Sequence, residues 1–460
     1  MRACEEARAE FPKPTRFAPR TNRLLFYITA LVFGSLASLA PISAEAQLTS
    51  LLLSGDAAPG TGGGSFASFG SPSLNDLGEA AFTANLSGGS TVTGVFVESP
   101  TTGTSVVALR GDAAPGSGGT FQTFGGVQIN NSGDVAFNSS IVGAAARSGI
   151  FVSSGGTVSA AVLDGDPAPG TGGGTFNIPS EAKFNNAGTL AFFARVNGGL
   201  VAEGIFRIES GLISAVAFNG TPIPGLPGAA FTQMSGPSLG QGGEIAFESE
   251  YFGGGFSDQG IFIDDNGALS AVALEGDIAP GSGGSAFTQV SVQRPPIAPD
   301  GSLVFGSGFA GGAVSEFGLF RSDAGGLTDL VFSGDIVPET GGGMLLGISN
   351  EVATNAAGDI LFEGQIDAGG LFSRGVFLLR NDALEAVALA GDPAPDTLGQ
   401  FVSFGNKPAV NALGDIAFSG RAQFGIASRG LWFLPEPAFA LPLAFGTLLL
   451  TGLKRRRMIS

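Results

Sequence analysis

Between residues 48 and 433 the apolar residues fall in short runs, separated by Gly, Asn, Asp and Pro. Runs of this length bounded by turn residues read as β-strands, and long helices are not expected. The stretch from Phe121 to Asp166 shows the order. A strand runs from Phe121 to Ile129, and Asn130-Asn131-Ser132-Gly133 turns the chain. A second strand, Asp134 to Ile141, contains Ala136-Phe137. Gly149-Ile150-Phe151-Val152 is the third and Val158 to Leu163 the fourth. Gly165-Asp166-Pro167-Ala168-Pro169-Gly170 then leads onward.

This unit of about 55 residues recurs along the chain. Asn at the first turn position and Gly at the fourth favour a type I turn followed by a left-handed bulge residue. Such turns begin at Asn75, Asn130, Asn185, Asn355 and Asn411; Gly240 stands in for Asn in the fourth unit, and the fifth reads Ala298-Pro299-Asp300-Gly301. The Asn residues are therefore read as turn-formers. Phe82, Phe137, Phe192, Phe247, Phe305, Phe362 and Phe418 close the A-F motif. Phe96, Phe151, Phe206, Phe262, Phe320 and Phe377 close a G-x-F motif, with Trp432 in the seventh place. Both series are expected in the core, at about 1.5–3 kcal/mol for each ring fully buried.

The fourth strands lie near Leu48–Leu53, Ser105–Leu109, Val158–Leu163, Ile213–Phe218, Leu269–Leu274, Leu327–Phe332 and Leu384–Leu389. The first stands alone, before any complete unit. The last unit stops after its third strand, Gly430–Phe433. The two fragments make one whole unit. This predicts an all-β fold over residues 47–434: a seven-bladed β-propeller with four antiparallel strands per blade, the N-terminal strand completing the last blade. Radial repetition of this kind protects sheet edges. The alternative is an open β-solenoid, which usually carries caps and rarely splits a unit between its ends.

Both ends outside the repeats read as sorting segments. Arg16, Arg20 and Arg23 precede an apolar run from Leu24 to Ala40, and Ala44-Glu45-Ala46 supplies an A-x-A cleavage site. Residues 1–46 are thus expected to be a signal peptide for export, the other reading being an uncleaved anchor. At the other end, Pro435-Glu436-Pro437 precedes an apolar run from Ala438 to Leu453 and then Lys454-Arg455-Arg456-Arg457. As helix, that run spans about 24 Å, short of a hydrocarbon core of roughly 30 Å, and the basic cluster would stay cytoplasmic.

Residues 435–460 resemble the PEP-CTERM sorting signal, through Pro435, Glu436, Pro437 and the basic cluster. The resemblance implies an exosortase as processing partner and transient anchoring in the inner membrane by a C-terminal transmembrane helix. Transfer to the cell surface or release would follow, in a Gram-negative bacterium that makes exopolysaccharide. The series from Leu48 to Phe433 is similar to bacterial proteins with tandem N-x-x-G-x-x-A-F repeats and varied surface anchors. Ala298-Pro299-Asp300-Gly301-Ser302-Leu303-Val304-Phe305 also looks like the S-P-D-G-x-x-I-A-F repeat of TolB-type propellers.

Composition narrows the chemistry. There is no His, and the single Cys, Cys4, lies in the leader. Ser-His-Asp triads, His-ligated zinc and disulfides are excluded from the repeat region. Ten of the 22 basic and five of the 39 acidic residues lie in the two ends, so residues 47–434 carry 12 basic and 34 acidic side chains, a net charge of −22. Such a surface repels nucleic acid and anionic membranes.

The G-D turns place Asp56, Asp112, Asp166, Asp277, Asp335 and Asp392 at equivalent points, with Thr221 as the exception. They are either a ring of carboxylates for calcium or polyhydroxyl ligands, or Asx residues bonding their own turns. No calcium loop motif accompanies them, so no cofactor is expected apart from calcium at that ring. The fourth unit departs most from the repeat and carries Glu248, Glu250 and Tyr251. Glu248 and Glu250 share one face of a strand, which does not suit flanking a scissile bond. The expected function is therefore a non-catalytic, exported surface protein with an interaction or extracellular-matrix role, meeting extracellular polysaccharide or surface proteins. The alternative is a glycan-active propeller enzyme using Asp or Glu. The two are separated by whether non-repeated carboxylates converge in the central channel beside an Arg.

Overall fold

The structure, a computed structural model, describes residues 47–436 other than 254, 291–293, 313–315, 339 and 371. Ala44, Ala46, the signal peptide, Pro437, the C-terminal apolar run, Lys454, Arg455, Arg456 and Arg457 lie outside the described residues. Every regular element described is a strand, and among these residues no helix is long and apolar enough to cross a membrane.

The strands form seven separate antiparallel sheets, each built on a four-strand meander in chain order, with one or two two-residue strands added in four of them. In the type unit the strands are Gly119–Ile129, Val135–Val142, Ser148–Ser154 and Thr157–Leu163. The expected boundaries hold to within two residues there. The exception to chain order is the closure. Thr49–Leu53 pairs with Arg429–Leu434, in the register Thr49↔Phe433, Ser50↔Trp432, Leu52↔Leu431 and Leu53↔Gly430. The chain is a seven-bladed β-propeller, and this closure excludes the open solenoid.

The recurring motifs each have a mechanical duty. Across the second and third strands the two aromatic series face each other directly: Phe82↔Phe96, Phe137↔Phe151, Phe192↔Phe206, Phe247↔Phe262, Phe305↔Phe320, Phe362↔Phe377 and Phe418↔Trp432. A further ring from the first strand, such as Phe121 on Phe151 at 4.8 Å between centroids, packs edge-on against the pair. All fourteen of the paired rings are fully buried. The cores lie between blades: Ala81 and Val95 of the first blade join Phe121 and Phe137 of the second. Across the closure, Leu52 and Leu431 join Phe66 and Phe82 in the same way. The Gly of the G-x-F motif is required by crowding, since a Cβ on Gly94 would press on the Ala108 carbonyl and the Leu109 and Phe96 side chains.

The Asn-x-x-Gly turns behave as predicted and do more. Asn75 Oδ1 accepts from the N–H groups of Leu77 and Glu79, at 3.0 and 2.9 Å, and Gly78 takes a φ of 74° that L side chains rarely adopt. In addition, Nδ2 of Asn75 donates to the carbonyl of Asn130 in the next blade at 3.0 Å, Asn185 donates to Gly240 at 3.1 Å, and Asn411 donates to Asn75 at 3.0 Å across the closure. One residue further on, the N–H groups of Asp76, Asn131 and Asn186 donate to side-chain oxygens of Asn131, Asn186 and Gln241, and that of Ala412 to Asp76. The turns therefore link the seventh, first, second, third and fourth blades in series. This second duty was not visible in the turn motif itself.

Removing Thr49–Leu53 is expected to cost about 3–6 kcal/mol, because Leu52 is lost and Trp432 is uncovered, and to split one melting transition into several. An unchanged single transition in calorimetry would contradict the closure.

Candidate functional site

Most recurring polar residues are already occupied. The Asp of each G-D turn accepts the N–H of the residue three before it: Leu53 to Asp56 at 2.7 Å, Leu109 to Asp112 at 2.9 Å, Leu163 to Asp166 at 2.8 Å, Leu274 to Asp277 at 2.9 Å, Phe332 to Asp335 at 2.8 Å and Leu389 to Asp392 at 2.8 Å. Thr221 does the same for Phe218 through its hydroxyl, at 3.2 Å. The geometry thus gives the six Asp residues the turn-bonding role. Among the described residues no group of three or more carboxylates gathers as a metal cage.

One position of the repeat escapes both turn and core. It lies four residues before the Asn-x-x-Gly turn and reads Ser71, Gly126, Glu181, Gly236, Arg294, Glu351 and Lys407 around the ring. The first strand bulges here: pairing slips between Gly125 and Gln128 in the second blade, and between Ser180 and Lys183 in the third. Gly126 takes a φ of 59°, and Glu181 and Arg294 keep positive φ values of 57° and 107° although they carry side chains. Such backbone costs of order 1–3 kcal/mol for a residue other than Gly, and clusters at functional sites.

The four charged members converge on the ring axis from four blades. Arg294 Nη2 meets Glu181 Oε2 at 2.9 Å, and its Nη1 meets Glu351 Oε1 at 2.8 Å. Lys407 Nζ meets the other oxygen of Glu351 at 3.2 Å. Room for Glu181 comes from Gly236, where a Cβ would collide with the carboxylate. Lys183, two residues after Glu181, joins the group from the third blade. These residues line a cavity of about 420 Å³ together with the amides of Gln128, Asn138 and Asn406. Glu181 and Arg294 also line a second cavity of about 380 Å³ with Glu248 and Glu250. The Arg294–Glu181 pair is the wall common to both.

Electrostatics differ on the two sides of that wall. Burial, together with the charges of Lys407 and Arg294, holds the Lys183 ammonium pKa well below that of an ordinary lysine, against the opposing pull of Glu351. Burial pushes Glu351 up, but Lys407, Lys183 and Arg294 outweigh it and hold the carboxyl below its usual range. Glu248 goes the other way: burial, then the charge of Glu250, pushes it up to about 7. Its Oε2 is buried with no hydrogen-bond partner among the described residues. Glu248 and Glu250 do share a face, as expected, whereas Tyr251 points into the core and packs edge-on against Phe262.

Glu181, Lys183, Arg294, Glu351 and Lys407 were not among the candidates read from the sequence. The available signal was the variation at the fourth position before the turn. Of the expected sorting motif, Pro435 and Glu436 are described. The Glu436 N–H donates to Asp415 at 2.9 Å, and its carboxylate pairs with Arg380 at 2.9 Å. Arg380 in turn holds Asp359 at 2.8 Å.

Blades, closure and channel define the class as a closed seven-bladed propeller of four-stranded blades. The chain belongs to the family described as a family of unknown function (DUF7453), whose model matches residues 36–203, 197–374 and 370–436. No curated protein matches it. Among solved structures it is similar to the β-propeller domain of the Trilobed protease from Pyrococcus furiosus, at 9% identity over 80% of this chain and 95% of that one, with a TM-score of 0.47. It is also similar to an oligogalacturonate lyase solved with manganese, at 10% identity, 86% and 99% coverage and a TM-score of 0.46. A third is the polysaccharide lyase Uly1, at 11% identity, 80% and 89% coverage and a TM-score of 0.42. Likeness at this level carries nothing about activity.

Glu248 makes a testable contribution to stability. Its carboxyl binds a proton more tightly in the folded ring than in the unfolded chain, so stability falls as pH rises from the ordinary 4.5 through about 7. Glu248→Gln is expected to raise stability at pH 8 by on the order of 2 kcal/mol, and to change little at pH 5. Equal melting shifts at both pH values would refute this.

Proposed function

We propose that this protein is an exported, surface-sorted ring that acts by binding, in an interaction or extracellular-matrix role. The observation that carries the reading is the charged position in the channel. Turns and core occupy the recurring residues, whereas Glu181, Arg294, Glu351 and Lys407 serve neither and meet where a ligand can reach them. Glu181 and Glu351 are each held by a cation, which suits recognition of a polar ligand better than proton donation. The acidic surface of the ring disfavours nucleic acid as a partner. Extracellular polysaccharide or a surface protein is the partner class, reached through the sorting signal at Pro435, Glu436 and Pro437, with an exosortase as processing partner.

A second reading, a glycan-active enzyme, draws on two observations. Carboxylates do converge in the channel beside an Arg, and Glu248, at about 7, has the pKa of a general acid working near neutrality. A glycan array on the purified protein, with and without calcium, separates the readings when run beside a turnover screen. Retention of a glycan without cleavage supports binding of polysaccharide; cleavage lost in Glu248→Gln supports the enzyme; neither retention nor cleavage refutes both glycan readings and leaves a surface protein as the partner. Mass spectrometry of the mature chain from its native host is expected to find the C-terminus at or near Pro435-Glu436-Pro437. An intact Ser460 terminus would rule the sorting route out.

A further inference from the structure

The cations of the channel are not equally satisfied. Arg294 spends its fork on Glu181 and Glu351, and Lys407 is paired with Glu351. Lys183 has no carboxylate or carbonyl acceptor among the described residues, and the like-charged Lys407 lies close enough to it to depress its pKa. With Lys183 in its ammonium form, which a bound anion would favour, Lys183, Arg294 and Lys407 against Glu181 and Glu351 leave one positive charge unbalanced inside an otherwise acidic ring.

The rest of the lining is polar and neutral. Gln128, Asn138 and Asn406 line the same space, Gln128 with its Nε2 donating to the Val127 carbonyl at 2.7 Å, and Asn138 Oδ1 is buried with no hydrogen-bond partner among the described residues. An unpartnered buried acceptor asks for a donor such as a hydroxyl, and an unpaired ammonium asks for an anion. The cavity, at about 420 Å³, is of a size that holds a small ligand.

We infer that the channel binds a sugar acid, with one carboxylate seated on Lys183 beside Lys407 and ring hydroxyls on Asn138 and its neighbouring amides. The inference rests on the binding reading above and names the ligand class for that site. A single carboxylate matches the single unbalanced charge. Seating it relieves the repulsion between Lys183 and Lys407 without breaking the Arg294 bridges. Because the groups facing Lys183 are Lys407, Arg294 and Glu351, a bound anion raises its affinity for a proton, and binding is accompanied by proton uptake.

The test is titration calorimetry on the full-length protein with a glucuronate trisaccharide, the matching glucose trisaccharide and inorganic phosphate. Glucuronate is expected to bind at least roughly tenfold more tightly than glucose, with a heat that varies with the ionisation enthalpy of the buffer. Lys183→Met should bring glucuronate down to the glucose level, while Lys183→Arg keeps most of the preference. Equal binding of the two sugars, an unaffected Lys183→Met variant or a buffer-independent heat overturns the inference. Phosphate binding as tight as glucuronate overturns the sugar-acid assignment in favour of a general anion site. Should Lys183→Met fail to fold, the Lys183→Arg variant and the buffer dependence still decide. A neutral glycan retained by the protein and released by Arg294→Met, with no preference for glucuronate, would sink this inference and leave the binding reading standing.

Discussion

No blade of this molecule can bury its own face. Each sheet presents a layer of Phe, Val and Ala that is covered only by the next blade, as Ala81 and Val95 are by Phe121 and Phe137. A row of such units is left with an uncovered face at each end, and only a circle removes both. Pairing Thr49–Leu53 with Arg429–Leu434 is how the chain meets that requirement. It ties residues nearly the whole repeat region apart into one sheet, so the first strand to be made waits for the last. Closure is therefore the constraint on which burial, turns and channel all depend.

The linked turns add direction to part of that circle. Apolar packing between blades is non-directional and would tolerate sliding. The bonds from Asn75 to Asn130, from Asn185 to Gly240 and from Asn411 to Asn75 fix these turns at one height relative to their neighbours. Asn suits this because its carbonyl can cap its own turn while its amide donates outward; Asp, with no donor when ionised, could do only the first.

The sequence was most readable where one cause fixed one residue. Gly at the fourth turn position, Asn at the first and paired aromatics in the strands each follow from a local demand, and counting them located the blades and the split unit. The channel was less readable because its residues follow no local demand. Glu181 and Arg294 are 113 positions apart, and nothing along the chain says that they touch until seven blades have closed. Glu248 and Glu250 stand out along the chain because they break a motif, whereas Glu181, Arg294, Glu351 and Lys407 lie just outside any motif. Varied residues at a fixed distance from a recurring turn were the mark of the site.

The fold depends on the ring being closed by the first strand. In a chain with Cys4→Ser, Thr49→Cys and Phe433→Cys introduce the only two thiols, at positions that face each other across the closing pair. Mild oxidation should convert the folded protein to an intramolecular disulfide in near-quantitative yield, seen as a faster-migrating band on non-reducing gels. Free thiols in the folded protein, or cross-links between chains only, would contradict the closed ring.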